Sequence, residues 1–204
     1  LFRSYLAMQY LEIRGAGEVL GDSQSGEIQE IGFSLYAQML ESAFKRLKAG
    51  KGAELEHALD VAAEVNLHQP ALLPADYCSD VHERLTLYKR LSNCDSPDAL
   101  DAMREELVDR FGALPEPARA LLECHALRLA AQPLGVTRID ATHETLQLQF
   151  VKQPPIEAQK IIDFVQRRPR ARLAGQDRLR LEATMPGWRE RAQTVRDVLA
   201  QLAA

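Results

Sequence analysis

Cysteine is scarce in this chain: Cys78, Cys94 and Cys124 are the only three, and none sits at C-x-x-C spacing. So few, odd in number and dispersed, they exclude a disulfide framework and a cysteine-based zinc site, and they suit a reducing cytoplasm. No run approaches the roughly 18 apolar residues of a membrane span, and no leader peptide is visible. Nucleotide cradles are missing as well. The pattern G-x-x-x-x-G-K-[ST] occurs nowhere, and Gly15, Gly17 and Gly21 miss the dinucleotide fingerprint G-x-G-x-x-G by one position. The five histidines, at positions 57, 68, 82, 125 and 143, show no metal-ligand spacing. His125 lies near the apolar face of a helix and reads as a packed histidine rather than a ligand. No nucleophile–base constellation can be assembled, so no catalytic residue, metal ligand or resident cofactor is assigned.

What remains is the composition of a globular chain: 204 residues, 46% hydrophobic and 26% charged. It begins at Leu1 rather than Met and reads as a piece of something longer. The net charge of −4 is unevenly spread: residues 1–52 balance, 53–159 carry nine net negative charges and 160–204 carry five net positive. An acidic middle with a basic end suggests contacts with other protein surfaces, though solvated faces are the commoner explanation.

Two units are expected, 1–54 and 55–204. In the first, an apolar helical stretch closes into the Gly-rich run from Arg14 to Asp22. An amphipathic helix follows through Phe33, Tyr36, Leu40, Phe44 and Leu47, capped near Gly50. The second opens with a short strand from Val61 to Leu67. Three helices come next. The first has Ser79 as N-cap and buries Val81, Leu85, Tyr88 and Leu91. The second has Ser96 and Pro97 at its start and Gly112 at its end, with Leu100, Met103, Leu107 and Phe111 inward. The third begins at Pro115 or Pro117 and stops at Pro133 and Gly135. The period then changes to two. Strands are expected at 136–139, 146–150 and 179–183, with a helix over 156–168 carrying Ile161, Ile162 and Val165. A final helix places Trp188, Ala192, Val195, Leu199 and Leu202 on one face. This order predicts an α+β fold: a helical motif, then three helices and a small, mostly antiparallel sheet with packed helices.

Three features invite a functional reading. Arg14, flanked by Gly15 and Gly17, could present its fork to a carboxylate or phosphate; a plain turn with a solvated arginine has the same spacing. Glu105, Glu106 and Asp109 form an acidic cluster on the second helix. Glu106 and Asp109 share a side turned from the apolar stripe, as a solvated face or as a docking patch for arginines. The stretch Arg167-Arg168-Pro169-Arg170-Ala171-Arg172 could touch phosphates, although it lacks neighbouring aromatics for base stacking.

The run Leu11-Glu12-Ile13-Arg14-Gly15-Ala16-Gly17-Glu18-Val19-Leu20-Gly21, followed by Gln24-Ser25-Gly26, resembles the translocation motif shared by bacterial transcription-repair coupling factors and the branch-migrating fork-reversal helicase, and the continuation Ile31-Gly32-Phe33-Ser34-Leu35-Tyr36 favours the coupling factors. Farther on, Ala71-Leu72-Leu73-Pro74, Tyr88-Lys89-Arg90 and Glu106-Leu107-Val108-Asp109-Arg110-Phe111-Gly112 resemble that family's C-terminal domain, in the right order. The resemblance implies a piece of an ATP-driven translocase on double-stranded DNA, which displaces stalled RNA polymerase and recruits the damage-recognition ATPase of nucleotide excision repair. ATP and Mg would belong to motor domains outside this chain. By position, Arg14 and Gln24, with Gly15 and Gly17, would couple hydrolysis to translocation. Glu106 and Asp109 would dock on arginines of the N-terminal module that binds the repair ATPase, holding the free protein closed. Tyr10 stands where the family usually carries an acidic residue, so no carboxylate contact is carried over there. The alternative is a nucleic-acid-binding module built on residues 160–204. Lacking a phosphate cradle, the chain by itself is expected to hydrolyse no ATP in a phosphate-release assay, with or without duplex DNA; measurable turnover would contradict the reading.

Overall fold

The computed structural model describes residues 63–175 and 177–203. The expected motif over 1–54 and the boundary near 55 lie outside these residues. The described chain runs β1 (Glu64–Asn66), α1 (Val81–Ser92), α2 (Pro97–Phe111), α3 (Glu116–Ala131), a 3-10 turn (Gln132–Leu134), β2 (Val136–Ala141), β3 (Thr145–Phe150), α4 (Ala158–Arg167), β4 (Ala171–Leu173), β5 (Arg178–Glu182) and α5 (Trp188–Ala203). The strand order is β1-β2-β3-β5-β4. Only the β1–β2 pairing is parallel, so the sheet is the expected small, mostly antiparallel one.

Local chemistry explains the boundaries. At α2 the Ser96 hydroxyl accepts the Ala99 N–H at 3.3 Å, Pro97 occupies the first turn, and Gly112 ends the helix at φ 84°. The α1 cap differs from expectation. Asp80, not Ser79, holds it, its carboxylate accepting the Glu83 N–H at 2.9 Å, while the Ser79 carbonyl accepts from Arg84. After α3, Pro133 enforces a 3-10 turn and Gly135 takes the left-handed conformation at φ 65°. A Cβ on Gly135 would lie 2.7 Å from Pro155 Cδ, so glycine is required there for space as well as for conformation.

Two apolar clusters form the core. One gathers Leu73, Leu87, Tyr88, Leu91, Leu100, Met103 and Leu107 of the helical half around Ala118, Leu121 and Leu122 of α3. The other packs α4, α5 and the far end of α3, through Leu127 and Ala131, onto the inner sheet face of Ile139, Leu146, Leu148, Leu179 and Leu181. The alternation of β3 and β5 and the stripe of α5 are as expected, with Val195 fully buried. Three expectations need correcting. Val81 is 59% exposed because the inward side of α1 runs through Leu87, Tyr88 and Leu91; Leu85 is only half-buried. Ile162 is exposed because Phe164, the bulkier side chain, sets the rotation of α4. Residues 171–173 form an edge strand, which their Arg-Leu content hid.

Buried between the helices is His125. Its Nε2 lies 2.8 Å from the Cys94 carbonyl, and Arg128 Nη2 lies 2.8 Å from its Nδ1. A guanidinium can only donate, so Nδ1 accepts and the ring proton sits on Nε2, donating to Cys94. Burial first, and then the Arg128 charge, pushes the imidazole pKa from 6.5 down to about 4. Well above pH 6.5 the ring is neutral in both folded and unfolded chains and adds no pH dependence. As the pH falls from 6.5 towards 4, the unfolded chain takes up a proton that the folded one refuses, so stability is lost across that window. At roughly 1.4 kcal/mol per unit, the loss by pH 5 is about 2 kcal/mol. Urea denaturation at pH 7, 6 and 5 should show it, and His125→Gln, which can make both hydrogen bonds without titrating, should flatten that part of the profile. An equally steep profile in the variant would assign the acid sensitivity elsewhere.

Candidate functional site

The acidic cluster lies where α1 and α2 run antiparallel. Arg90 grips Glu106 with both arms of its fork, Nη1 to Oε1 at 2.6 Å and Nη2 to Oε2 at 2.5 Å. Arg110, one turn along α2, donates to Glu106 Oε1 at 3.1 Å and also pairs with Glu83 of α1. The result is a chain of alternating charges, Glu83–Arg110–Glu106–Arg90, lacing the two helices together. Below it, the Tyr77 hydroxyl donates to the Leu107 and Gly112 carbonyls, satisfying the end of α2. The Tyr77 ring lies 5.6 Å from that of Phe111, over which the Arg110 guanidinium stacks at 5.0 Å.

Of the two residues singled out from sequence, the structure separates the circumstances. Glu106 is half-buried and already held by two arginines of its own domain. The hydrogen bonds from Arg90 hold its carboxyl below the usual glutamate range, against a smaller opposing effect of burial. Asp109 is exposed, and its carboxylate has no partner among the described residues. Sequence reasoning missed Val108, 42% exposed between Glu105 and Asp109, which makes this face of α2 apolar and acidic together. It also missed Arg90 as the holder of Glu106. The Glu106–Arg110 pair could be read from its i,i+4 spacing; the Arg90 partner, sixteen positions away, could not. Arg14, Gly15, Gly17 and Gln24 lie outside the described residues, as does Tyr10.

The α2 face is open and carries an unpaired carboxylate, a second acid and an exposed valine. It can pair with cations and bury a small apolar patch, which is what a docking surface needs. Among the described residues, no group of three or more His, Cys, Asp or Glu is placed to hold a metal ion, and no helix is long and apolar enough to cross a membrane.

Residues 67–161 match the family model of the TRCF domain. A transcription-repair-coupling factor of Haemophilus influenzae is 41% identical over 200 residues, covering 98% of this chain and 18% of that protein. Its Escherichia coli counterpart is 39% identical over 198 residues, 97% of this chain and 17% of that protein. The chain thus spans about a fifth of the length of these curated relatives. A crystal structure of the C-terminal domain of a transcription-repair coupling factor matches with a TM-score of 0.57 at 23% identity, over 70% of this chain and 95% of that one. At that identity the likeness speaks for the fold.

The internal grip on Glu106 has a spectroscopic consequence. In a carbon-detected NMR titration Glu106 should ionise below an ordinary glutamate, and Arg90→Gln should return it towards the usual range. Because the pair is substantially exposed, with 47% and 30% of the two side chains accessible, the substitution should cost less than about 1 kcal/mol of stability. A Glu106 midpoint indifferent to Arg90→Gln would show that the fork does not persist in solution.

Proposed function

Because the chain belongs to the transcription-repair-coupling factor family, we propose that it is a regulatory and coupling segment from the C-terminal end of an ATP-dependent translocase. That parent would act on double-stranded DNA, displace stalled RNA polymerase and so link transcription to nucleotide excision repair. Arg14 and Gln24, with Gly15 and Gly17, would tie ATP hydrolysis in the motor domains to movement on DNA. The domain from 55 to 204 would dock on the N-terminal module that binds the damage-recognition ATPase and hide it until the parent engages polymerase. The likeness to relatives over nearly the whole chain supports the family role. The single observation that favours docking is the α2 face, where Asp109 is left unpaired beside an exposed Val108.

The energetics require little. A closed state favoured by about 3 kcal/mol leaves under about 1% of molecules open, and an interface of ordinary quality supplies that intramolecularly. Asp109 can give its full pairing capacity to a partner arginine, whereas Glu106 must share or surrender its own arginines. The two acids therefore differ as probes. Asp109→Arg changes only the outward charge; Glu106→Arg also breaks the α1–α2 lacing.

The test is titration of the 204-residue chain against the N-terminal repair-ATPase-binding module. The wild type should bind, and Asp109→Arg should weaken binding at least tenfold, about 1.4 kcal/mol, without lowering the melting temperature. Unchanged affinity in Asp109→Arg, or no wild-type binding at high micromolar concentration and low salt, would remove the docking reading and leave the family role standing.

A further inference from the structure

One corner of the domain is crowded with arginine. Six arginines fall between positions 167 and 180, with Asp177 as the single carboxylate among them. They arrive from the last turn of α4, the connection into β4, β4 itself and β5. Arg167, Arg168 and Arg170 line a cleft of about 520 Å³, together with Glu182, Thr194 and Asp197. Around the edge, Arg172 of β4 stands directly opposite Arg180 of β5 in the strand register. Both alternate to the sheet face away from the core, because Leu179 and Leu181 occupy the inner one.

Like charges directly opposite on neighbouring strands are destabilising. Here the repulsion is only half relieved within the domain. Arg172 pairs with Glu182 at 3.1 Å, whereas Arg180 forms no ion pair among the described residues and its buried Nε has no acceptor. Arg167 and Arg170 likewise form no ion pair among those residues, although Glu182 and Asp197 line the same cleft. Arg168 donates to Gln201 at 2.8 Å and lies over the Phe164 ring at 4.9 Å, neither of which neutralises it. Four of the six cations at this corner are therefore uncompensated, in a chain whose net charge is negative.

We propose that this corner is an anion-binding surface whose partner is the phosphate backbone of duplex DNA. Every cation in the patch is a guanidinium, whose planar fork suits phosphate oxygens bidentately. Phe164, the one aromatic residue between 160 and 187, is buried, so nothing is on offer for stacking unpaired bases as single-strand binders require. Nor does the patch hold the apolar or aromatic anchors that dominate protein interfaces. Leu181 is buried, and the exposed Leu173 alternates to the opposite side of β4 from Arg172. Binding through phosphates alone is sequence-independent and salt-sensitive. This surface is separate from the acidic α2 face and stands whether or not that face docks.

The experiment is fluorescence anisotropy of a labelled mixed-sequence duplex of about 30 base pairs, titrated with the 204-residue chain between roughly 50 and 200 mM salt. Binding should weaken with salt at a log–log slope near −3.6, about 0.9 for each of four phosphates neutralised. The triple variant Arg167→Gln, Arg170→Gln, Arg180→Gln should bind at least tenfold more weakly, with a slope flatter by about 0.9 for each phosphate no longer neutralised. The double variant Arg167→Gln, Arg170→Gln touches only exposed side chains and carries the test if the triple loses its folded circular dichroism. Arg104→Gln with Arg119→Gln, on the helical half, should leave binding unchanged. No binding at the lowest salt and high micromolar concentration, or the same affinity in wild type and double variant, would overturn the proposal. Tighter binding of poly-glutamate than of duplex, abolished in the double variant, would also overturn it and assign the corner to an acidic polypeptide.

Discussion

Helix α3 is buried on two flanks along its length, and that forces the architecture. Only a narrow polar stripe, Glu116, Arg119 and Glu123, is left to face outward, so the rest of the helix must be covered by neighbouring elements. One flank, with Ala118, Leu121 and Leu122, is closed by α1 and α2, and the far end, with Leu127 and Ala131, is closed by the sheet layer under α5. Thus α3 is the wall shared by two cores, neither of which is complete without it. It also carries the one buried polar residue among those described, His125, which ties the α1–α2 connection at Cys94 to the helix. The polar faces that remain for contact with other molecules, the outer side of α2 and the outer face of the sheet, are what α3 leaves uncovered.

The functional surfaces are best understood as remainders after internal pairing. Several acids and bases here are paired across elements: Glu83 with Arg110, Glu116 with Arg189, Glu123 with Arg196. Exposed pairs of this kind contribute little stability each. They do determine which charges are left to act outward. On α2 the remainder includes Glu105 and Asp109, with a valine between them; at the α4–β4–β5 corner it is a group of arginines. An acidic remainder and a basic one on a single small domain suit contacts with two chemically opposite partners.

Much of the fold was legible in the residues. Ser96-Pro97 and Gly112 bracket α2 because capping and proline geometry act within a few positions. The alternation of 145–150 and the α5 stripe from Trp188 to Leu202 are local periodicities, and they appear in the structure as expected. What stayed hidden is equally specific. Leu87 rather than Val81 faces inward on α1, since a short helix tolerates several rotations until its neighbours choose one. The strand at 171–173 has no periodicity of its own and exists because β5 offers it hydrogen bonds. For the candidate site, the acids of α2 were visible as a cluster, but which of them was spoken for was not.

The division follows the range of the forces. Sequence by itself determined the α+β class, the ends of α2, the apolar faces of β3, β5 and α5, and the family, because each rests on residues a few positions apart or on a contiguous motif. Only the tertiary structure decided that Glu106 is gripped by Arg90, that Asp109 and Val108 are left open, and that Arg180 faces Arg172 without a counter-ion. Those facts depend on which strands pair, in what register, and on how far α1 rotates against α2, and such long-range packing sums many small interactions that no local pattern records.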